Sequence, residues 1–392
     1  MIKTLPLNSR AKTTTLKQPR ELFSYARDID GGYVYDKSSV DSEISYYYLP
    51  DSVIDSRLDL QSGYSKFKKI PEQQNVADFN SYLIAIQKHE EKSGELIQGD
   101  IVTFRGVMTK ILSLPYNINE PFDLNIVPFD GQLFMNVDSK IELNRREQHE
   151  LELRSNNTPE KYDFLKKCEF GGYKFETVAT LPRPWAECTR SQIEKRTKTM
   201  VNNYQQHLSV IKTGIGSVKL VLAGEIDCVW DYLPEDNKHT LDHYAELKTS
   251  RIIESNGNVV TFEKKLFKTW CQCFLMGVRY IVYGFRDDDL CLRNVEVFKT
   301  DEVPLLIKNN PLTADSKNKV NCVGALKWYG AVLEWLNSEI DKNDLSKSYR
   351  LSYDPGSKSF SLLELMSDDN QRLRNGEVLT KEFRKWRESK RA

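Results

Sequence analysis

Net charge is the first thing this 392-residue sequence lacks: 56 Lys and Arg are matched by 56 Asp and Glu. No global basic field draws nucleic acid to such a chain, so any such binding must come from a local groove. A carboxylate metal site inside a basic groove would leave no trace in a sum of zero. The seven cysteines include no Cys-x-x-Cys pair, which argues against zinc ribbons and dithiol redox motifs. Cys271 and Cys273 flank a glutamine in an apolar stretch and read as buried free thiols of a reducing compartment. The five histidines (His89, His149, His207, His239 and His243) form no His-Glu-x-x-His or similar pairing, so histidine-based metal chemistry is not expected. There is no early apolar h-region of the kind a secretory signal needs. No apolar run approaches the roughly 20 residues of a membrane helix, so no membrane partner is expected.

What is present is ordinary for a soluble globular protein: 40% hydrophobic and 29% charged residues. The length allows two or three domains, although large α/β folds often run as one. With no internal repeat and no clear linker, the order of elements suggests one mixed α/β domain over 1–392. Residues 1–20, polar and rich in Thr and Lys, read as an extended or partly disordered lead-in. Tyr-Tyr-Tyr-Leu-Pro at 46–50, and then 51–70, read as an irregular segment packing aromatics on a core. Phe79, Leu83, Ile84 and Ile86 give the stretch from Asp78 to about Lys92 a helical stripe. Residues 101–112 read as a strand, and 122–137 as a hairpin turning at Asp130-Gly131.

The charged excursion at 138–167 reads as part helix and part loop with a solvated face. A helix is expected over 190–204, opened by Ser191-x-x-Glu194 as a capping box. Core strands are expected at 218–232 and 243–250, a buried helix at 262–278 and a strand at 279–285. Helices recur at 322–340 and 380–390, the latter closing a polar tail over 366–392. Gly214 and Gly216 match no phosphate-binding loop and read as a turn before the 218–232 strand. The basic runs at 194–198 and 383–391 read as solvated helix faces, with an RNA groove or an import signal as the alternatives.

The chemistry-bearing pattern is clearest over 217–231. Strand side chains alternate between faces. Val218, Leu220, Leu222, Ile226, Cys228 and Trp230 share one face, while Glu225 and Asp227 share the other. Burying two like charges together is costly unless a cation neutralises them. Salt bridges on a solvated face are the alternative. About twenty residues on, Glu246-Leu247-Lys248 again sends its charged pair to one face. An acidic strand followed by Glu-x-Lys is a metal-nuclease pattern. Mg²⁺ and Mn²⁺ prefer hard oxygen ligands, and a nearby lysine can orient the attacking water and offset phosphate charge. Two such ions about 4 Å apart can stabilise both the attacking and the leaving oxygen. Upstream, Gly172-Tyr-Lys-Phe-Glu176 reads as an alternating segment in which Gly172 could permit close backbone approach and Glu176 could add a ligand, or be an ordinary surface glutamate. Arg105, amid Ile101, Val102, Phe104 and Val107, needs a partner if buried: a phosphate, or a structural carboxylate. Gln272 is a polar amide on an apolar helix and must find hydrogen bonds there or in the site.

Together these segments resemble the Rai/DXO family of RNA 5′-end decapping nucleases. That family's motifs are an arginine, then Gly-Φ-x-Φ-Glu, Glu-Φ-Asp and Glu-Φ-Lys in order, where Φ is apolar or aromatic. They stand here as Arg105, Gly172 to Glu176, Glu225-Ile-Asp227 and Glu246-Leu-Lys248, followed by Gln272. The resemblance spans nearly the whole chain and is greatest to the fungal nuclear branch, whose members partner the nuclear 5′→3′ exoribonuclease. It implies two mixed sheets flanked by helices, a PD-(D/E)XK-nuclease-like core and a deep pocket between the sheets. It implies Glu176, Asp227, Glu246 and the Leu247 carbonyl as ligands to Mg²⁺ or Mn²⁺, with Glu225 at a second ion. It implies that Lys248 and Gln272 position water and the scissile phosphate, and that Arg105 holds RNA phosphates. The implied reactions act on triphosphate, incompletely methylated cap and NAD-type cap 5′ ends, in the nucleus.

Overall fold

In the computed structural model, which describes residues 2–12, 15–74, 78–234, 239–316 and 319–391, the strands divide between two mixed sheets. The larger has ten strands in the spatial order Ile2–Pro6, Ser359–Glu364, Tyr349–Asp354, Phe122–Phe129, Gln132–Val137, Ile101–Phe104, Val218–Ile226, Gln206–Ile215, Leu16–Arg27 and Tyr33–Val34. The smaller has six: Leu292–Lys299, Tyr280–Arg286, Tyr244–Arg251, Cys228–Val229, Tyr46–Tyr47 and Thr180–Leu181.

Alternation explains why Val218–Ile226 lies mid-sheet. Leu220 and Leu222 on one face and Val221 and Ala223 on the other are all fully buried. The first pair joins a cluster with helices Arg105–Ser113, Asn256–Met276 and Cys322–Glu339. The second pair packs with helices Phe79–Ser93 and Lys381–Ser389 on the opposite face. A strand covered on both sides needs apolar residues in both registers, and this one has them. The Phe122–Phe129 and Gln132–Val137 hairpin turns as expected, with Asp130 at φ 58° and Gly131 at φ 72°, the left-handed pair a two-residue turn requires. In the smaller sheet, Tyr244–Arg251 and Tyr280–Arg286 run parallel, joined by the helix Asn256–Met276, whose length suits such a crossover.

The joint between the sheets is a single residue. Ile226 pairs with His207 in the larger sheet, and Cys228 pairs with Ala245 in the smaller. Asp227 alone connects them, so the expected strand over 218–232 is two strands on two sheets.

Other expectations change with it. Residues 101–112 are a strand only through Phe104; Arg105–Ser113 is a helix. Val107, Met108, Ile111 and Leu112 recur at helical spacing and are buried together, which outweighs the β-branched start. Gly172 to Glu176 lies in the helix Pro159–Val178, not in an alternating segment. Thr158 caps that helix by accepting from the Lys161 amide, and Pro159 occupies its first turn. The excursion at 138–167 is largely helical: Ser139–Ser155, which buries no residue, and the first half of Pro159–Val178. The capping box is Thr189 with Gln192, not Ser191 with Glu194, and the helix spans only Arg190–Lys195 before a 3-10 turn, Arg196–Lys198. Residues 1–20 contribute the strand Ile2–Pro6 and the start of Leu16–Arg27, while Met1, Thr13 and Thr14 lie outside the described residues. Segment 51–70 contains the short helix Asp51–Asp55. Neither basic run is wholly solvated, since Arg196 and Arg387 are buried. Among the described residues no helix is long and apolar enough to cross a membrane.

Candidate active site

The expected site residues come from five elements that meet at the joint. Glu225 lies near the end of Val218–Ile226, and Asp227 is the joint itself. Pairing of Cys228 with Ala245 sets Asp227 beside the next strand, where its Oδ2 accepts from the Leu247 amide at 2.7 Å. On that strand Leu247 points into an apolar cluster, and Glu246 and Lys248 point into the site together, as alternation predicts. Lys248 Nζ stands 2.6 Å from Glu246 Oε1 and 3.6 Å from Asp227 Oδ2, and donates to the Leu247 carbonyl at 3.0 Å. Arg105 opens its helix and donates from Nη1 to Glu246 Oε2 at 3.0 Å. Its passage depends on Gly224: a Cβ there would lie 2.9 Å from Met276 Sδ and 3.0 Å from Arg105 Cβ. Glu176 reaches the same cavity as Glu225 and Asp227 from the helix Pro159–Val178.

Gly172 does not make a close approach, since a Cβ there would meet Thr249 Oγ1 at an ordinary 3.9 Å. Gln272 is half-buried on the helix Asn256–Met276, between the buried Cys271 and Cys273, and no hydrogen bond ties its amide to the described residues. That helix does reach the site through Met276.

Three residues were not picked out by sequence reasoning. Gln206 Nε2 donates to Glu225 Oε2 at 3.4 Å. Lys174 Nζ donates to the Thr197 carbonyl at 2.6 Å, and Arg196 Nε to the Val178 carbonyl at 3.0 Å. The latter two fasten the Arg196–Lys198 turn to the helix that carries Glu176. A lone Gln, Lys or Arg has no spacing signal. Only the helical period through Phe170, Phe175 and Val178 could have put Lys174 on a buried face.

Four carboxylates thus face two cations. Burial pushes Glu225 up to about 7, with Asp227 adding to it and Arg105 opposing. Burial, then Asp227, raises Glu176 well above the carboxylate range. Burial, then Glu246, raises Asp227. Glu246 goes the other way: burial resists its ionisation, but Lys248 and Arg105 outweigh it and hold the group low. Burial also works against the charge on Lys248, which Asp227 and Glu246 more than offset.

Among the described residues no three acidic, His or Cys side chains converge into a ready metal cage; Lys248 Nζ stands between Asp227 and Glu246 instead. The donor set nonetheless fits a divalent ion by charge and chemistry. It leaves negative charge uncompensated in a buried place, and it offers hard carboxylate and carbonyl oxygens. Glu176, Asp227, Glu246 and the Leu247 carbonyl could hold one ion, and Glu225 could serve a second.

A family model for the RAI1 like PD-(D/E)XK nuclease matches residues 17–384. The chain is 64% identical over 390 residues to the decapping nuclease RAI1 of Candida albicans, covering 99% of both. It is 37% identical over 401 residues to that of Saccharomyces cerevisiae, covering 98% of this chain and 97% of the relative. The chain belongs to the RAI1 like PD-(D/E)XK nuclease family. Solved RAI1 structures share its fold. Candida albicans Rai1 in complex with pU5-Mn2+ superposes with a TM-score of 0.97 at 63% identity, covering 100% of both chains. Scheffersomyces stipitis Rai1 in complex with (3'-NADP)+ and calcium ion gives 0.94 at 60% identity, covering 99% of this chain and 100% of that one. The two-sheet mixed α/β architecture is therefore that of the RAI1 like nucleases.

Proposed function

We propose that this chain is a divalent-metal-dependent hydrolase of RNA 5′ ends, acting in the nucleus beside a 5′→3′ exoribonuclease. The observation that carries the reading is the buried surplus of carboxylate at the sheet joint, with Lys248 and Arg105 beside it. Supporting it, one close relative, Candida albicans Rai1, was solved with pU5 and Mn²⁺. Glu176, Asp227, Glu246 and the Leu247 carbonyl would hold Mg²⁺ or Mn²⁺, and Glu225 would serve a second ion. When bound, such ions polarise phosphoryl oxygen and acidify water.

The chain's own groups do the rest. Lys248 Nζ, already held by Glu246, offsets charge building on the phosphate and orients water. The Gln272 amide helps to place that water and the scissile phosphate. Arg105 keeps donors beyond the one given to Glu246, and a guanidinium offers them as a planar fork that fits phosphate. On triphosphate RNA, water attacks the α-phosphorus, the bond to the β-phosphate bridge breaks, and pyrophosphate leaves. Release of incompletely methylated caps as intact dinucleotides, and removal of NAD-type caps, use water against other P–O bonds near the 5′ end. The (3'-NADP)+ complex of Scheffersomyces stipitis Rai1 supports the last.

A panel of 5′-triphosphate, 5′-monophosphate, 5′-hydroxyl, capped and NAD-capped RNA with Mn²⁺ tests this. Pyrophosphate and cap release should depend on metal and vanish in Glu225→Ala/Asp227→Ala. Unchanged turnover in that variant would sink the reading. Pull-down of the exoribonuclease by the same variant tests the partnership apart from catalysis, and its absence removes the partner from the proposal.

A further inference from the structure

A cavity of about 700 Å³ opens between the C-terminal half of the helix Phe79–Ser93 and the strand Leu16–Arg27. It shares only His207 with the cavity that holds Glu176, Glu225 and Asp227. None of Arg105, Glu246, Lys248 or Gln272 lines it. The hydrolysis described above makes no use of it.

Its inner lining is polar and buried. Glu21 Oε1 accepts from Ser209 Oγ at 2.6 Å and from the Tyr244 hydroxyl at 3.3 Å. Burial raises the Glu21 carboxyl above its ordinary range, and those bonds oppose the shift. His207 and Thr240 line the same space and are only 3% and 6% exposed. Among the described residues, neither His207 ring nitrogen nor Thr240 Oγ1 makes a hydrogen bond of good geometry, although the Val40 backbone and Glu21 lie near them. Buried polar groups are as a rule bonded, so unbonded ones around a void suit the polar edge of a ligand. A carboxyl, an imidazole and two hydroxyls offer donors and acceptors side by side, which is the pattern of a nucleobase edge.

The walls are aromatic. Phe23 stacks on the His89 ring at 4.5 Å between centroids, and Tyr35 and Tyr46 add two more rings. Such faces hold bases of any kind by stacking. The mouth is cationic. Lys88 and Lys92 are exposed there, with Lys88 Nζ 5.5 Å from the Tyr35 ring centroid. Neither lysine is in an ion pair among the described residues. Asp41 is the one carboxylate beside them, and Lys37 offsets its charge. Polar floor, aromatic walls and cationic mouth follow the order of base, sugar and phosphate.

We propose that this cavity binds a free mononucleotide, base inward and phosphate at Lys88 and Lys92, at a site separate from the reacting centre. Its volume suits a ligand of that size.

Calorimetric titration of the full chain with AMP, GMP, CMP and UMP in chelator tests this, because without metal the carboxylates around Glu225 repel phosphate. At least one nucleotide should bind at about 10–100 µM, an affinity that ligands of this size reach. Absence of binding by all four overturns the proposal. Lys88→Gln/Lys92→Gln changes two exposed residues and should weaken the nucleotide about tenfold while leaving the matching nucleoside unaffected. Equal losses for both, or no loss for either, overturn the placement of the phosphate. Glu21→Gln keeps the shape of the floor and should change the order of preference among the bases; an unchanged order overturns the inward base. Asp227→Asn should leave the affinity as it is, and a shift there would put the nucleotide in the catalytic cavity and sink the proposal. A 5′-phosphorylated trinucleotide should not compete. Displacement by it would return the cavity to the RNA substrate and overturn the free-nucleotide assignment.

Discussion

Two clusters of charge are buried in this molecule, and they are built on opposite plans. At the C-terminal helix, Arg387 is 1% exposed and donates to Glu90 at 2.9 Å and Asp130 at 2.7 Å. Arg391 also pairs with Asp130, and Glu90 takes further bonds from the Trp386 indole at 3.0 Å and the Ile97 amide at 2.9 Å. Two carboxylates meet two guanidiniums, and spare acceptors are filled by neutral donors. At the sheet joint, four carboxylates meet one arginine and one lysine. A balanced cluster is a fastening: it ties the last helix to the first long helix and the 130–131 turn. An unbalanced one is tolerated because something else completes it, and it is where local rules are expected to be broken for function.

The comparison can be broken most forcefully at the joint. Asp227→Asn with Glu225→Gln should cut metal-dependent turnover by about 10³-fold or more while the protein melts no lower in chelator; measurable loss of fold without loss of rate would reverse the assignment. Arg387→Met should do the opposite. It leaves the buried Glu90 without a cation, while Asp130 keeps Arg391, and should cost about 3–5 kcal/mol in denaturant titrations, with turnover per folded molecule retained. An unaffected midpoint would mean that this cluster fastens nothing.

Acidity gives the third test. Glu225 is raised from the ordinary 4.5 to about 7, chiefly by burial. Its contribution to stability is therefore full below pH 4.5 and is lost as pH rises through 7, on the order of 3 kcal/mol. Glu225→Gln should abolish that loss in chelator, and equal pH profiles would contradict the cause given for the shift. Fourth, Mn²⁺ at a hundred times its Kd should stabilise the wild type by about 2.7 kcal/mol and the Asp227→Asn protein far less; equal stabilisation would place the ion elsewhere. The smallest effect calibrates the rest. Thr189→Ala removes an exposed neutral cap and should cost about 1 kcal/mol, visible in melting and absent from kinetics.

How much of this was legible beforehand differs between the clusters. The joint was readable because its residues repeat with strand period: Glu225 with Asp227, and Glu246 with Lys248. Their order matched a family pattern, which brought in Arg105 and Glu176. Yet the backbone under those two was misread. Arg105 begins a helix, and Glu176 ends one, because helical burial of Ile111, Leu112, Phe170 and Phe175 decided the conformation over the local β-branched and alternating pattern. The C-terminal cluster left no readable trace. Arg387, Glu90 and Asp130 are far apart in the chain, and a basic run looks alike whether its arginine is solvated or buried. The role of Gln206 was hidden for the same reason, since one amide has no period.

The joint also sets a rule about chain length. Ile226 belongs to one ladder and Cys228 to the other, so one residue is all that separates two registers. Side-chain swaps at 227 alter chemistry and leave both ladders in place. An insertion or deletion there would leave the pairings inside each sheet intact but change the step between them, so that Glu225 on one ladder would no longer stand at its present spacing from Glu246 and Lys248 on the other. Surface loops in general tolerate added residues at small entropic cost. At this point the count of residues is itself part of the site.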